Sequence, residues 1–229
     1  MLVAALVCSG AAACGDDGNP PVDADPGSCD GKVAITGEVV DWDANRTTFC
    51  GVFNATLTVR GTPALTDVTN PNGRFEMCIP DQAVTVIDVA YGAAPSECTI
   101  PKDSYPVAGV IVVDKGSGNA IPQISARAMT AMRQAEMFTA VGAAYDASKA
   151  QLVVHVDGTA TMVTTSASHA AAQRFDGTSW GPGAAGSDVF LPNVAPGVTT
   201  VTVGSTTYSL TLAAGVFTYL SSISAQSAR

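Results

Sequence analysis

Six cysteines, two histidines, two tryptophans and a short run of oxygen ligands are the side chains of this 229-residue chain that could do chemistry. Cys29, Cys50, Cys78 and Cys98 lie in its first half. In an exported chain, four such thiols read as two disulfides, with three pairings open. They form no CxxC pair, and His155 and His169 lie far downstream, which argues against a zinc site. Asp41, Asp43 and Asn45 start on the spacing of a calcium loop. Arg46 stands where that loop needs Gly, and Val52 where it needs a bidentate Glu, so a turn between strands is the better reading. His155 sits among apolar strand residues and His169 in a Ser/Ala-rich stretch. Neither adjoins a nucleophile motif, and the sequence contains no GxSxG elbow between a strand and a helix and no HExxH. No catalytic residue, metal or cofactor is expected, and the chain reads as a non-enzyme. Trp180, in the glycine-rich stretch FDGTSWGPG, could stack on a sugar or enter a partner's pocket. Trp42 offers the same at the rim of an earlier unit.

The elements that would hold these residues are mostly strands. KVAITGEVVD, ATLTVRG, GRFEMCIP, AVTVIDVAYG and VAGVIVVD (107–114) are short β-branched runs separated by turn signals such as Asn70-Pro71-Asn72-Gly73. Asn72-Gly73 suits a tight hairpin, after which Phe75 and Met77 share one face. After a break at 116–122, residues 126–141 are rich in Ala, Met, Arg, Gln and Glu and predict a helix. Ser125 stands at its N-cap, and Ala128, Ala131, Ala135 and Phe138 form its narrow stripe, with Met129 and Met137 off it. Residues 150–219 supply five more strand candidates: QLVVHVDG, TATMVTTSA, DVFLPNVAPGVTTVTV, YSLTL and VFTYL.

The charge is uneven. The net charge is −9, and residues 1–114 carry 15 acids against 5 bases, while residues 115–229 carry 5 against 6. Without a basic patch, nucleic-acid binding is not expected.

Ahead of the strands, the charge-free run Leu2–Ala13 ends at Cys14, which Gly15-Asp16-Asp17-Gly18 follows. The run is too short to span a bilayer, which needs roughly 20 apolar residues, and matches the apolar region of a signal peptide. It resembles a bacterial lipoprotein signal with its lipobox. The resemblance implies cleavage before Cys14 and a diacylglycerol on its sulfur, hence an anchor in the membrane. Cys8 is a competing acceptor, but the residues after it stay apolar. No Lys or Arg precedes the run, so the true start is expected upstream, and Ala11 stands where the family usually has Leu. Gly15, in place of an inner-membrane retention Asp, implies an outer-membrane lipoprotein facing the periplasm or the cell surface. Residues 15–31, with five Asp, three Pro and no base, read as a flexible tether.

The strand motifs carry a second resemblance. GEVVD, VFNATLTV, DVTNPNGRFEMCIP and VTVIDVAYG are similar to the carboxypeptidase regulatory-like, or transthyretin-like, domain over 32–114. That family implies a seven-stranded, usually non-catalytic β-sandwich, often beside a peptidase. LPNVAPGVTTVTV resembles its Pro-Gly hairpin, suggesting a second, degenerate copy over 150–229. The expected protein is therefore all-β: signal peptide 1–13, tether 14–31, sandwich 32–114, linker with a short helix 115–149, and a second transthyretin-like or immunoglobulin-like sandwich 150–229. Its expected role is structural or adhesive, binding an envelope protein or glycan. A carbohydrate-binding module using Trp180 or Trp42, and an accessory to a secreted peptidase, are the alternatives.

Overall fold

The computed structural model describes residues 29–41, 51–91, 109–114, 124–128, 131–157 and 160–223. In chain order the strands of the first half are β1 (Lys32–Asp41), β2 (Thr56–Val59), β3 (Thr66–Val68), β4 (Arg74–Pro80), β5 (Val84–Ala90), β6 (Gly109–Asp114) and β7 (Ile124–Ala128). One helix, α1 (Ala131–Ala140), follows. The second half adds β8 (Ala150–Asp157), β9 (Thr161–Thr165), β10 (Gln173–Phe175), β11 (Trp180–Pro182), β12 (Ala185–Gly186), β13 (Asp188–Val194), β14 (Gly197–Val203), β15 (Thr206–Leu212) and β16 (Phe217–Ile223). The protein is all-β, as expected, with one short helix among the described residues.

The strands form three sheets in three layers. The central, nine-stranded sheet has the order β11-β10-β13-β8-β16-β6-β5-β2-β3. One of its faces carries Leu57, Val59, Ile87, Ile111, Val113, Phe190 and Tyr219. They pack on Ile35, Phe75, Met77 and Ile124 of a sheet ordered β4-β1-β7, and on Phe138 of α1. The opposite face carries Val110, Val112, Leu152, Val154, Val189, Leu191 and Leu220, which pack on Val163, Val201, Tyr208 and Leu210 of a sheet ordered β12-β9-β14-β15. This sharing explains β6, GVIVVD, in which all six residues are buried. A strand covered on both faces has no polar side to show.

The stretches 32–114 and 150–229, expected as two sandwiches, both supply strands to that central sheet. β16 lies between β6 and β8 and runs parallel to both, with Tyr219 opposite Ile111 on one side and Val153 on the other. The Asn70–Gly73 turn makes a crossing instead of the expected hairpin. It carries the chain from β3 in the central sheet to β4 in the outer one. Asn70 Oδ1 accepts from the amides of Asn72 and Arg74, and Gly73 takes φ +72°. A β-carbon there would lie 2.2 Å from the Val39 carbonyl oxygen, so glycine is required by close approach as well as by φ.

The helix is shorter than its composition predicts. Residues 124–128 form a strand parallel to β1, with Ile124, Ala126 and Ala128 buried at period two. Pairing with the open edge of β1 overrides the helix propensity of these residues, and Ser125 lies in β7 instead of capping a helix. Within α1, Gln134, Met137 and Phe138 are buried and Ala135 is exposed, so the packed face is not the alanine stripe.

Two tyrosines tie the layers together. The Tyr208 hydroxyl donates to the buried Asp114 carboxylate and lies 2.7 Å from Ser222 Oγ, joining β15 to the central sheet. Tyr219 donates to the Arg127 carbonyl, joining β16 to β7. Burial holds both phenols well above their ordinary pKa.

Candidate functional site

Arg174, Asp176 and Asp188 lie together beside β10, β12 and β13. A cleft of about 660 Å³ opens there, lined by Arg174, Phe175, Asp176, Gly177, Ser187 and Asp188 among others. Arg174 lies on β10 and is exposed. Its side chain runs over Gly183 and Gly186. A β-carbon at Gly183 would meet Arg174 Cδ at 3.0 Å, and one at Gly186 would meet Arg174 Cβ at 3.4 Å. The two glycines thus leave a bed for the arginine. Its guanidinium has no hydrogen bond or ion pair to another described residue.

The carboxylates of the cleft are already engaged. Asp176 Oδ1 accepts from the amides of Thr178 and Ser179, each at 2.8 Å, closing the turn before β11. Those hydrogen bonds, Ser179 first, hold its pKa below the usual carboxylate range. Asp188 on β13 stands directly opposite His155 on β8, with Nδ1 to Oδ1 at 2.8 Å. Burial pushes the Asp188 carboxyl up. The hydrogen bond and charge of His155, the charge of Arg127 and the Ser187 hydroxyl together outweigh this and leave it below its ordinary value. The sequence placed His155 only among apolar neighbours. Its partner, 33 residues away, is set by the β8–β13 register, which no local pattern reveals.

The other expected site residues are placed as follows. Trp180 is half-buried on β11, with ring centroids 5.4 Å from Phe175 and 6.1 Å from Phe190, packed against the core. His169 is exposed between β9 and β10, 2.5 Å from the Ala170 carbonyl, and is not part of the cleft lining. Cys29 and Cys78 form a disulfide with Cα atoms 5.6 Å apart, one of the pairings left open by the sequence. Cys14, Trp42, Asp43, Asn45, Cys50 and Cys98 lie outside the described residues. Among the described residues, no group of three His, Cys, Asp or Glu side chains is placed to hold a metal ion. No helix among them is long and apolar enough to cross a membrane.

Arg174 and its neighbours can therefore offer a cation and a shallow polar floor to a ligand. No family model matches this sequence, and no curated protein matches it. Among solved structures the chain is similar to the Bacillus anthracis TIE protein, at 10% identity and a TM-score of 0.26, over 82% of this chain. It spans about a third of that protein's length, 33%.

Proposed function

We propose that this protein is an envelope lipoprotein, held by a diacylglycerol on Cys14, whose transthyretin-like β body binds a protein partner without catalysis. The observation that carries the reading is the Cys29–Cys78 disulfide. Structural disulfides persist in oxidising compartments outside the cytosol, and an export signal ending at Cys14 delivers the chain there. The engagement of Asp176 with its own turn supports a binding role over an acid–base one. Arg174, bedded on glycines and open to the cleft, supplies the contact for a partner's carboxylate. Trp180, packed between Phe175 and Phe190, gives much of its ring to the core, which favours a protein partner over stacking on a sugar.

Feeding cells a clickable palmitate analogue tests the anchor. The full chain should take up label, Cys8→Ala should keep it, and Cys14→Ala should lose it; an unlabelled wild-type chain refutes the anchor. Crosslinking in intact cells with mass spectrometry tests the partner. One protein should be recovered with the wild type and lost with Arg174→Ala, and equal recovery with both refutes the cleft.

A further inference from the structure

We infer that the open edge of β15 is a self-pairing surface, on which a second copy of this chain adds its own β15 antiparallel about a twofold axis at Ser209. The inference is independent of the lipid anchor. Exposed sheet edges invite pairing with other chains, and folded proteins blunt them with charge, proline, shortness or a cover. The other edges here are blunted. β3 is three residues long and contains Asp67, and β11 is three residues long and ends in Pro182. β12 has two residues. β4 carries Arg74, Glu76 and Pro80, and β7 carries Arg127. β15, TTYSLTL, has seven residues with neither charge nor proline, and no described strand pairs with its outer side.

The geometry suits a twofold. The Val203–Thr206 pair closes the two-residue turn at Gly204-Ser205. Bonded and non-bonded pairs alternate from such a turn. Thr206, Tyr208, Leu210 and Leu212 therefore bond to β14, and the backbone groups of Thr207, Ser209 and Thr211 point to the open edge. Pairing about Ser209 sets it against its own twin and sets Thr207 against Thr211 of the other copy, each pair exchanging two backbone bonds. The inward side chains, Tyr208 and Leu210, also come opposite each other, extending the apolar layer under the joined sheet.

The self-complementary register favours a copy as the occupant, and electrostatics permits it. Groups near a twofold axis meet their own copies, so a chain of net charge −9 pairs with itself most readily where its surface carries no charge. The outward residues around β15 are Val198, Thr200 and Thr202 on β14, Thr207, Ser209 and Thr211 on β15, and Met162 and Thr164 on β9. None of them is charged. Cross-strand Thr–Thr and Thr–Ser pairs are favourable, and Thr202 and Thr207 already stand with their hydroxyls 3.3 Å apart.

Sedimentation velocity of the full chain over a concentration series tests this, with mild detergent present. The wild type should pass from monomer to dimer. Ser209→Pro removes an outward N–H and no bond to β14. It should leave the circular dichroism and melting temperature unchanged and weaken the dimer about tenfold or more. Thr211→Lys should do the same through charge. Ser209→Cys should add a reducible dimer on a non-reducing gel, because bonded antiparallel pairs have Cα atoms about 5.5 Å apart, within disulfide reach. A wild-type chain that stays monomeric throughout overturns the inference. So does a dimer that survives both Ser209→Pro and Thr211→Lys, as it would if a different surface joined the copies.

Discussion

Replacing Cys29 and Cys78 together by serine should lower the stability of this protein by about 4 kcal/mol. The figure comes from the loop the bond closes. The two cysteines are 49 residues apart, and chain-entropy theory assigns such a loop close to 14 cal/mol/K of entropy removed from the unfolded chain, or about 4 kcal/mol at 25 °C. The folded state adds little to this. β1 and β4 are held in register without the bond, from Lys32–Pro80 to Glu38–Arg74, and Phe75, Met77 and Ile79 stay in the core. The loss should therefore appear as an easier unfolding of an unchanged structure. The double variant is preferable to a reducing agent, which would reach other cysteines as well. Urea unfolding of wild type and variant, followed by far-ultraviolet circular dichroism, gives the difference directly. In a thermal scan the midpoint should fall by roughly 8–16 °C for a chain of this length. A loss under about 1 kcal/mol would refute the reasoning, because it would mean the unfolded chain already keeps these ends close.

Two further outcomes follow from local geometry. Asp188→Asn should cost about 1–3 kcal/mol near neutral pH. The folded pKa of Asp188 is lowered, so its contribution is present above the unfolded value of about 3.9 and is lost as pH falls through the folded one. The gap between wild type and variant in urea midpoint should shrink from pH 7 to pH 2, and a gap constant with pH would contradict the pairing with His155. Gly73→Ala should be far more damaging than Gly61→Ala. Both glycines have positive φ, +72° and +79°, which costs alanine about 1–2 kcal/mol. The new β-carbon at 73 would also press on Val39 and Gly51, while that at 61 meets nothing within 4 Å. Equal melting temperatures for the two variants would count against the crossing turn described above.

The strands of five or more residues in regular alternation were legible because their burial follows their own sequence: β4 reads exposed, buried, half-buried in strict period two. β3, β10, β11 and β12 have two or three residues each and are defined by the neighbours they pair with, so no local pattern announces them. Residues 124–128 show the same dependence from the other side, with a helix-like composition drawn into a strand by β1. The third layer left a trace in the unbroken apolar run of β6, yet such a run equally suits the inner strand of an ordinary sandwich. In the cleft, the turn at Asp176 was visible as a glycine-rich loop. The bed under Arg174 and the pairing of His155 with Asp188 depend on registers between distant strands.

The position of β16 has a consequence for how the chain comes together. Its neighbours β6 and β8 are made long before it, and the two are not joined in one sheet until residues 217–223 slot between them. Until then the central layer is two half-sheets with facing raw edges. Such long-range closure slows folding, and the waiting intermediate is prone to aggregate. A ribosome-bound chain stalled short of β16 should therefore remain protease-sensitive across both halves. On the export route proposed above, that delay would be an advantage: β16, the last of the described strands, is the one that locks the body shut.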